Sequence, residues 1–301
     1  MILDAKRAPY LTAAAQCPHV HTMVAAQNAL LVLLGTTCSA RNIHWFADVS
    51  VGKTSNGCSK DDTVSCLDLT LASIKAYPHL FGEKATVLPS FYPNEDEGVG
   101  HRLADWRAYP KAQIDAWRKP IQAAGAKCVP YVVDASDIFA MEAIWANQTL
   151  WIADAVALAV EIDVDGWFVD FEAEHPDGLE KLDQSARFAY FVDAFAVAMH
   201  AKNKTLGMYV TDPWEATDSN YAAFGKTAVD FIYSGALYLP TDAEWKNYGA
   251  LQAAVGKDAP RRAVAGLGPY AVLESITGRR PAWDIFKPLY LAQIELVFHD
   301  S

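Results

Sequence analysis

The chain has 301 residues, of which 52% are hydrophobic and 20% are charged. This composition is typical of a globular protein with a substantial core and excludes a disordered chain. The formal net charge is −11, and the basic residues form no cluster, which argues against nucleic acid or an anionic membrane as a partner. Five cysteines in this length are too few for a disulfide-rich scaffold.

The first forty residues differ from the rest of the chain. An apolar run over 29–34 is followed by Cys38-Ser39-Ala40, a pattern typical of a signal peptide cleaved after Ala40. The run is far shorter than the roughly 20 apolar residues of a membrane span. Two features are irregular for a signal peptide: no Lys or Arg lies between Met23 and this run, and the charged pair Lys6-Arg7 lies well upstream. One explanation is that Met23 is the true start; a buried N-terminal helix is the alternative interpretation. We expect an extension with a signal peptide over 1–40, one domain over 41–301 and no membrane span.

Three further signals favour secretion or the lumen of the endomembrane system or lysosome. Asn147 and Asn203 each begin an Asn-x-Thr acceptor sequence for N-glycosylation. Cys58 and Cys66 flank a polar segment and are expected to close a loop by a disulfide in an oxidising compartment. Cys128 lies in an apolar run and is expected to be a buried thiol.

From residue 41 onward, strand and helix patterns alternate. The predicted strands are 43–49, 85–92, 127–133, 166–171, 205–211, 229–237 and 262–267, and the predicted helices are 67–76, 103–124, 138–160, 182–202 and 243–255. A strand every 35 to 40 residues or so predicts a (β/α)8 barrel, with a doubly wound open sheet as the alternative. The tail over 283–301 is expected to hold the seventh helix and a stub of the eighth strand, which would leave the barrel incomplete there.

The fourth predicted strand carries two acidic residues near its carboxyl end, where barrel enzymes place their sites. Because strand side chains alternate between faces, Phe168, Asp170 and Glu172 share one face, and Trp167, Val169 and Phe171 share the other. Carboxylates this close cannot both ionise easily, so one is held protonated and can serve as a general acid. The alternative is a structural one, in which a buried Asp caps a loop and the Glu is exposed.

The segment from Asp165 to Glu172, Asp-Gly-Trp-Phe-Val-Asp-Phe-Glu, resembles the signatures of two glycoside hydrolase families. One is Asp-Gly-x-Asp-x-Asp-x-Glu of the family 18 chitinase-like enzymes, in which Phe168 replaces the middle Asp. The other is Asp-Gly-Trp-(Leu/Phe)-x-Asn-x-Glu of the family 85 endo-β-N-acetylglucosaminidases, where Asp170 stands in place of Asn. The resemblance is strong over the nine residues from Val164 to Glu172 and is only architectural over the rest of 41–301.

The resemblance implies a retaining, substrate-assisted glycosidase acting on β-linked N-acetylglucosamine in chitin-like oligomers or the N-glycan core. It implies Glu172 as the general acid and Asp170 as the group that orients the acetamido group and stabilises its charge. Sugar rings also need aromatic walls and polar contacts, and the candidates for substrate binding are Asp165, Tyr92, Asn94, Tyr209, Asp212, Trp214, Tyr233 and Tyr238. For any one aromatic residue, core packing is an equal alternative.

Competing motifs are incomplete. Gly52-Lys53-Thr54 lacks the Gly at position 47 that a phosphate loop needs, and the Gly266 to Ala271 stretch lacks the acidic residue of a dinucleotide site. Neither His-Glu-x-x-His nor zinc-type Cys/His spacing occurs. We expect a monomeric glycoside hydrolase with a carbohydrate substrate and neither metal nor cofactor. The alternatives are a glycosidase for other sugars and a catalytically silent carbohydrate-binding barrel, which an open seam at the eighth strand would favour.

Overall fold

The computed structural model describes residues 43–48, 71–72, 74–75, 86–90, 102–135, 138–171, 185–210, 223–234, 242–256, 263–267 and 295–298. Its strands are β1 (Ile43–Asp48), β2 (Thr86–Ser90), β3 (Lys127–Cys128), β4 (Tyr131–Val132), β5 (Gly166–Val169), β6 (Thr205–Val210), β7 (Phe231–Ser234), β8 (Ala263–Leu267) and β9 (Glu295–Phe298). Its helices are α1 (Leu103–Ala108), α2 (Lys111–Ala123), α3 (Ile138–Ala146), α4 (Gln148–Glu161), α5 (Ser185–His200) and α6 (Asp242–Val255).

All the paired strands are parallel, and they follow one another around the sheet in chain order. β3 and β4 are two parts of one barrel strand, separated by Val129-Pro130. Pro130 has no backbone N–H to donate, but its carbonyl oxygen accepts a hydrogen bond from Phe168 N at 2.8 Å, and Val129 N donates to Val87 O at 2.9 Å. Counting β3 and β4 as one, eight strands form a (β/α)8 barrel, as the spacing predicted.

The eighth barrel strand, β9, is as short as the predicted stub, with four residues. It pairs with β1 on one side, where Ile43 is level with Leu296, and with β8 on the other, where Val264 is level with Glu295. The sheet therefore closes through β9, and the open seam that the sequence suggested is absent at this position.

Two of the predicted helices are each divided in the structure, and those predictions were wrong in extent. The segment 103–124 forms α1 and α2, because Pro110 precedes the first turn of α2 and cannot continue α1. The segment 138–160 forms α3 and α4, which meet at Asn147 with a bend of 89°. Among the described residues, no single helix has the length and apolar composition of a membrane span, although α3 and α4 together reach them.

The main core lies between the strands and the surrounding helices. Trp106 in α1 packs edge-on against Trp117 in α2, with ring centroids 5.7 Å apart, and its ring is tilted against that of Trp167 of β5 at 6.0 Å. Trp167 also donates its indole N–H to Ala155 O in α4 at 2.8 Å, so its one polar atom is satisfied although the side chain is fully buried. These contacts fix the orientation of β5, the strand that leads to Asp170.

Candidate active site

Side chains of the central strands alternate between the helix layer and the lumen, the space that the strands enclose. Trp167 and Val169 belong to the helix-facing core, whereas Phe168 belongs to a separate lumen cluster. The predicted division of the fourth strand into two faces is therefore confirmed for these residues. The lumen cluster consists of Leu88, Val129, Phe168, Tyr209, Phe231 and Tyr233, with Tyr131 packed against it.

Three aromatic rings stack across the lumen below Asp170. Phe168 lies between Tyr131, whose ring centroid is 5.6 Å away, and Phe231, at 5.8 Å, with interplanar angles of 24° and 14°. Gly207 faces Phe231 across β6 and β7, and a Cβ atom at position 207 would overlap the Phe231 ring. The glycine thus makes room for the ring, and the stack closes the lumen beneath the candidate site.

Asp170 is the first residue after β5 and lies at the carboxyl end of the barrel. Its side chain is 6% exposed, and its backbone N–H donates to Val132 O at 3.0 Å. The carboxylate accepts a hydrogen bond at Oδ2 from the Tyr131 hydroxyl. Burial of a carboxylate is costly unless hydrogen bonds compensate it. The hydrogen bond from the Tyr131 hydroxyl therefore reduces the free-energy cost of burying Asp170.

Two tyrosines lie at the level of Asp170. Val169 pairs with Met208, which places Asp170 beside Tyr209, and Tyr209 in turn pairs with Tyr233. The two tyrosine rings are 4.9 Å apart, and both side chains are buried in the lumen. Of the predicted wall residues, the structure therefore brings Tyr209 and Tyr233 together with Asp170.

Asp165 lies at the opposite, amino-terminal end of β5. Its Oδ2 accepts hydrogen bonds from Cys128 N at 2.8 Å and from Gln122 Nε2 at 3.0 Å. Gly166 follows because a Cβ there would overlap the carbonyl oxygen of Thr205. The predicted role of Asp165 in substrate binding does not fit this position, since its carboxylate supports the base of the barrel; the Asp-Gly pair is explained by backbone packing.

Asp134 follows the third barrel strand, whose second part is β4. Its Oδ1 accepts the N–H of Leu103, the first residue of α1, at 2.8 Å, and its Oδ2 accepts the indole N–H of Trp151 at 2.7 Å. Burial raises the pKa of Asp134, although both hydrogen bonds oppose the shift. Asp134 therefore joins α1 and α4 to the end of the barrel that carries Asp170.

Several predicted residues lie outside the described part of the chain, so their placement stays a prediction. These are Glu172, Tyr92, Asn94, Asp212, Trp214, Tyr238, Cys58 and Cys66. Asn147 and Asn203 are exposed, and their glycosylation stays a prediction. Cys128 is a buried free thiol, as predicted, and burial raises the pKa of that thiol well above its usual range. Within the described ranges, no group of three or more His, Cys, Asp or Glu side chains could hold a metal ion.

Sequence reasoning missed Tyr131 as a site residue. It lay among the aromatic residues of the predicted strands, but nothing in the sequence distinguished it from core tyrosines. The signal that identifies it is the pairing of β4 with β5, where Tyr131 is level with Phe168. That register places the phenol within reach of the carboxylate of Asp170, two residues after Phe168.

Solved structures with a similar fold include glycoside hydrolases. A chitinase from Bacteroides thetaiotaomicron aligns at 11% identity and a TM-score of 0.55 over 87% of this chain and 90% of that one. A GH18 chitinase from Pseudoalteromonas aurantia aligns at 10% and 0.52, over 84% of this chain and 92% of that one. An endo-β-N-acetylglucosaminidase from Cordyceps militaris aligns at 13% and 0.52, over 91% and 85%.

No protein-family model matches the sequence, and no curated protein matches it. At such identities, similarity to solved structures establishes the fold and leaves activity to be argued from the site. The chain has the (β/α)8 barrel fold that these chitinases and this endoglycosidase share.

Proposed function

We propose that this protein is a retaining, substrate-assisted glycoside hydrolase of β-linked N-acetylglucosamine, with Asp170 and Glu172 at its centre. The observation that carries the proposal is the buried Asp170 carboxylate, which lies at the carboxyl end of the fourth barrel strand and is surrounded by lumen tyrosines. Position 172 shares the face of position 170 if the chain continues extended. Chitinases and an endoglycosidase of the same fold support a carbohydrate substrate.

In the proposed reaction, Glu172 donates its proton to the glycosidic oxygen as the bond to the anomeric carbon breaks. The acetamido carbonyl oxygen of the same sugar attacks that carbon and forms a cyclic oxazolinium ion, so the protein supplies no nucleophile. Asp170 accepts the acetamido N–H, which orients the group and stabilises the positive charge that develops on it. Glu172 then removes a proton from water, which opens the ring with overall retention.

The lumen tyrosines suit this substrate. Pyranose rings present apolar faces that stack on aromatic side chains, while phenol hydroxyls exchange hydrogen bonds with sugar groups. Tyr209 and Tyr233 are the described candidates for contact with the acetamido-bearing sugar, because both lie level with Asp170. Tyr92, Asn94, Asp212, Trp214 and Tyr238 are proposed to line the rest of the cleft.

The test of the acid is Glu172→Gln assayed with a 4-nitrophenyl chitobioside. We expect kcat to fall by about 10²- to 10⁴-fold, the usual contribution of a general acid or base. Glu161→Gln is the matched control, since Glu161 is exposed at the end of α4; it should retain wild-type activity. Equal cleavage by wild type and Glu172→Gln would overturn the acid assignment.

The test of substrate assistance compares the chitobioside with the cellobioside, which has the same leaving group but no acetamido group. A substrate-assisted enzyme should cleave only the chitobioside at a measurable rate. Cleavage of both at similar rates would favour a glycosidase for other sugars. Binding of chitin oligomers without cleavage of either substrate would favour the catalytically silent carbohydrate-binding barrel.

We propose further that the protein is a monomer that acts outside the cell or in an endomembrane or lysosomal lumen. The signal-peptide pattern over 1–40, the acceptor sequences at Asn147 and Asn203 and the pair Cys58 and Cys66 support this location. Mass spectrometry of the protein from its secreting cells tests all three features at once. An N-terminus at residue 1 with unmodified asparagines and free Cys58 and Cys66 would contradict the location.

A further inference from the structure

The lumen face of the fourth barrel strand holds an aromatic ring where the resembled family 18 pattern has an acid. Phe168 lies two residues before Asp170 on the same face, is fully buried and stacks on two other rings. A second carboxylate at 168 would share a proton with Asp170, because two carboxylates so close cannot both ionise easily. This chain must therefore hold the Asp170 carboxylate by another group.

The Tyr131 hydroxyl reaches that carboxylate from the neighbouring strand. It donates a hydrogen bond to Asp170 Oδ2, while its ring stacks on Phe168, the side chain that replaces the acid. The pairing of Tyr131 with Phe168 across β4 and β5 makes both contacts possible at once.

Tyr131 is itself held in place from the helix layer. Its backbone carbonyl oxygen accepts the indole N–H of Trp106 at 2.8 Å, and Trp106 is fully buried against Trp117 and Trp167. A phenol fixed by its own backbone and by ring stacking loses little freedom when it binds a carboxylate. Its hydroxyl is consequently a preorganised donor.

We propose that Tyr131 is the positioning residue that takes the place of the missing acid and holds Asp170 in the orientation that the acetamido group requires. This inference rests on the proposed function. A phenol differs from a carboxylic acid in being neutral and a poor proton donor near pH 7, since its ordinary pKa is about 10. Tyr131 therefore supports Asp170 as an anion throughout the cycle, and no proton passes between the two groups.

Two further ionisable side chains that face Asp170 from described elements are Tyr209 on β6 and, one strand farther, Tyr233 on β7. Both are phenols, and the ordinary pKa of a phenol, about 10, lies far above that of a carboxylic acid. Glu172, two residues after Asp170, is the remaining acid of the proposed pair. The acid limb of the pH profile thus reports on the two carboxylates and not on the tyrosines.

The experiment compares wild type, Tyr131→Phe, Asp170→Asn and the double variant, with Tyr190→Phe as the matched control because Tyr190 is 70% exposed on α5. Tyr131→Phe keeps the stacked ring and removes only the donor. We expect kcat to fall about 10- to 100-fold, the loss of one hydrogen bond to a charged group, with KM changed less than about threefold. The acid limb of kcat/KM should move to higher pH, because a carboxylate that loses a donor holds its proton more tightly.

The double variant distinguishes positioning from a merely structural role. If Tyr131 acts through Asp170, Tyr131→Phe should cost almost nothing further in the Asp170→Asn background, both in kcat and in Tm. Additive losses, or a wild-type pH profile for Tyr131→Phe, would overturn the inference while leaving the hydrolase intact. If wild type cleaves no chitobioside, the proposed function fails, and the Tm values alone test the contact between Tyr131 and Asp170. Non-additive Tm changes in the double variant would support that contact, and additive changes would refute it.

Discussion

Trp151 in α4 donates its indole N–H to the carboxylate of Asp134 at 2.7 Å. The same carboxylate accepts the first backbone N–H of α1 through its other oxygen, so one acidic side chain joins two helices to the end of the third barrel strand. A carboxylate is suited to this task because it offers two acceptor oxygens and no donor.

Replacing Asp134 by Ala should lower the free energy of unfolding by about 2–4 kcal/mol, because two partly buried donors lose their acceptor. Urea denaturation measures the change. Asp154→Ala is the matched control: Asp154 pairs with Arg107 at the surface, with both side chains 48% exposed, and such pairs contribute less than about 1 kcal/mol. Equal losses in the two variants would contradict the role of Asp134.

The contribution of Asp134 should also depend on pH. Its pKa is raised by burial in the folded protein, whereas in the unfolded chain it is about 3.9. Between these values the folded state binds more protons, so stability falls as pH rises through the folded pKa. The difference in unfolding free energy between wild type and Asp134→Asn should therefore grow in favour of wild type as pH is lowered through the folded pKa toward about 4. A constant difference, or one that shrinks, would refute the assignment.

Gly207 should tolerate no side chain. A Cβ there overlaps the ring of Phe231, which is buried and stacked on Phe168, so Gly207→Ala should cost about 1–3 kcal/mol as an overpacked core does. Gly249→Ala is the control, because position 249 lies in α6 with nothing within 4 Å of the added Cβ; there the substitution should be neutral or stabilising by up to about 1 kcal/mol. Thermal unfolding of both variants provides the comparison, and a neutral Gly207→Ala would show that the Phe231 ring is free to move.

Features that depend on the periodicity of neighbouring residues could be predicted from the sequence. Strand alternation predicted that Phe168 and Trp167 lie on opposite faces of the strand, because side-chain direction in a strand has period two. The recurring strand and helix patterns likewise predicted the barrel. The helix breaks at Pro110 and Asn147 were missed, since apolar spacing on both sides of each break fits a single longer helix.

Contacts between strands could not be predicted in the same way. Tyr131 reaches Asp170 because of the register between β4 and β5, and register depends on the closure of the whole barrel. The periodicity of the sequence also does not reveal that the third barrel strand is interrupted at Pro130, because the residues around it keep their hydrogen bonds. The motif directed attention to Asp165 as well, although its carboxylate lies at the far end of the strand from Asp170.

The variant Asp165→Ala tests whether Asp165 stabilises the base of the barrel, as its hydrogen bonds indicate, or binds substrate, as the sequence motif suggested. The buried N–H of Cys128 loses its acceptor, so the unfolding free energy should fall by about 1–3 kcal/mol. Because the carboxylate lies at the amino end of β5, kcat and KM of the folded variant should stay within about threefold of wild type. Both are measured with the chitobioside below the variant's Tm, with Asp170→Asn as the inactive reference. A folded Asp165→Ala variant with a KM raised tenfold or more would show instead that Asp165 contributes to substrate binding.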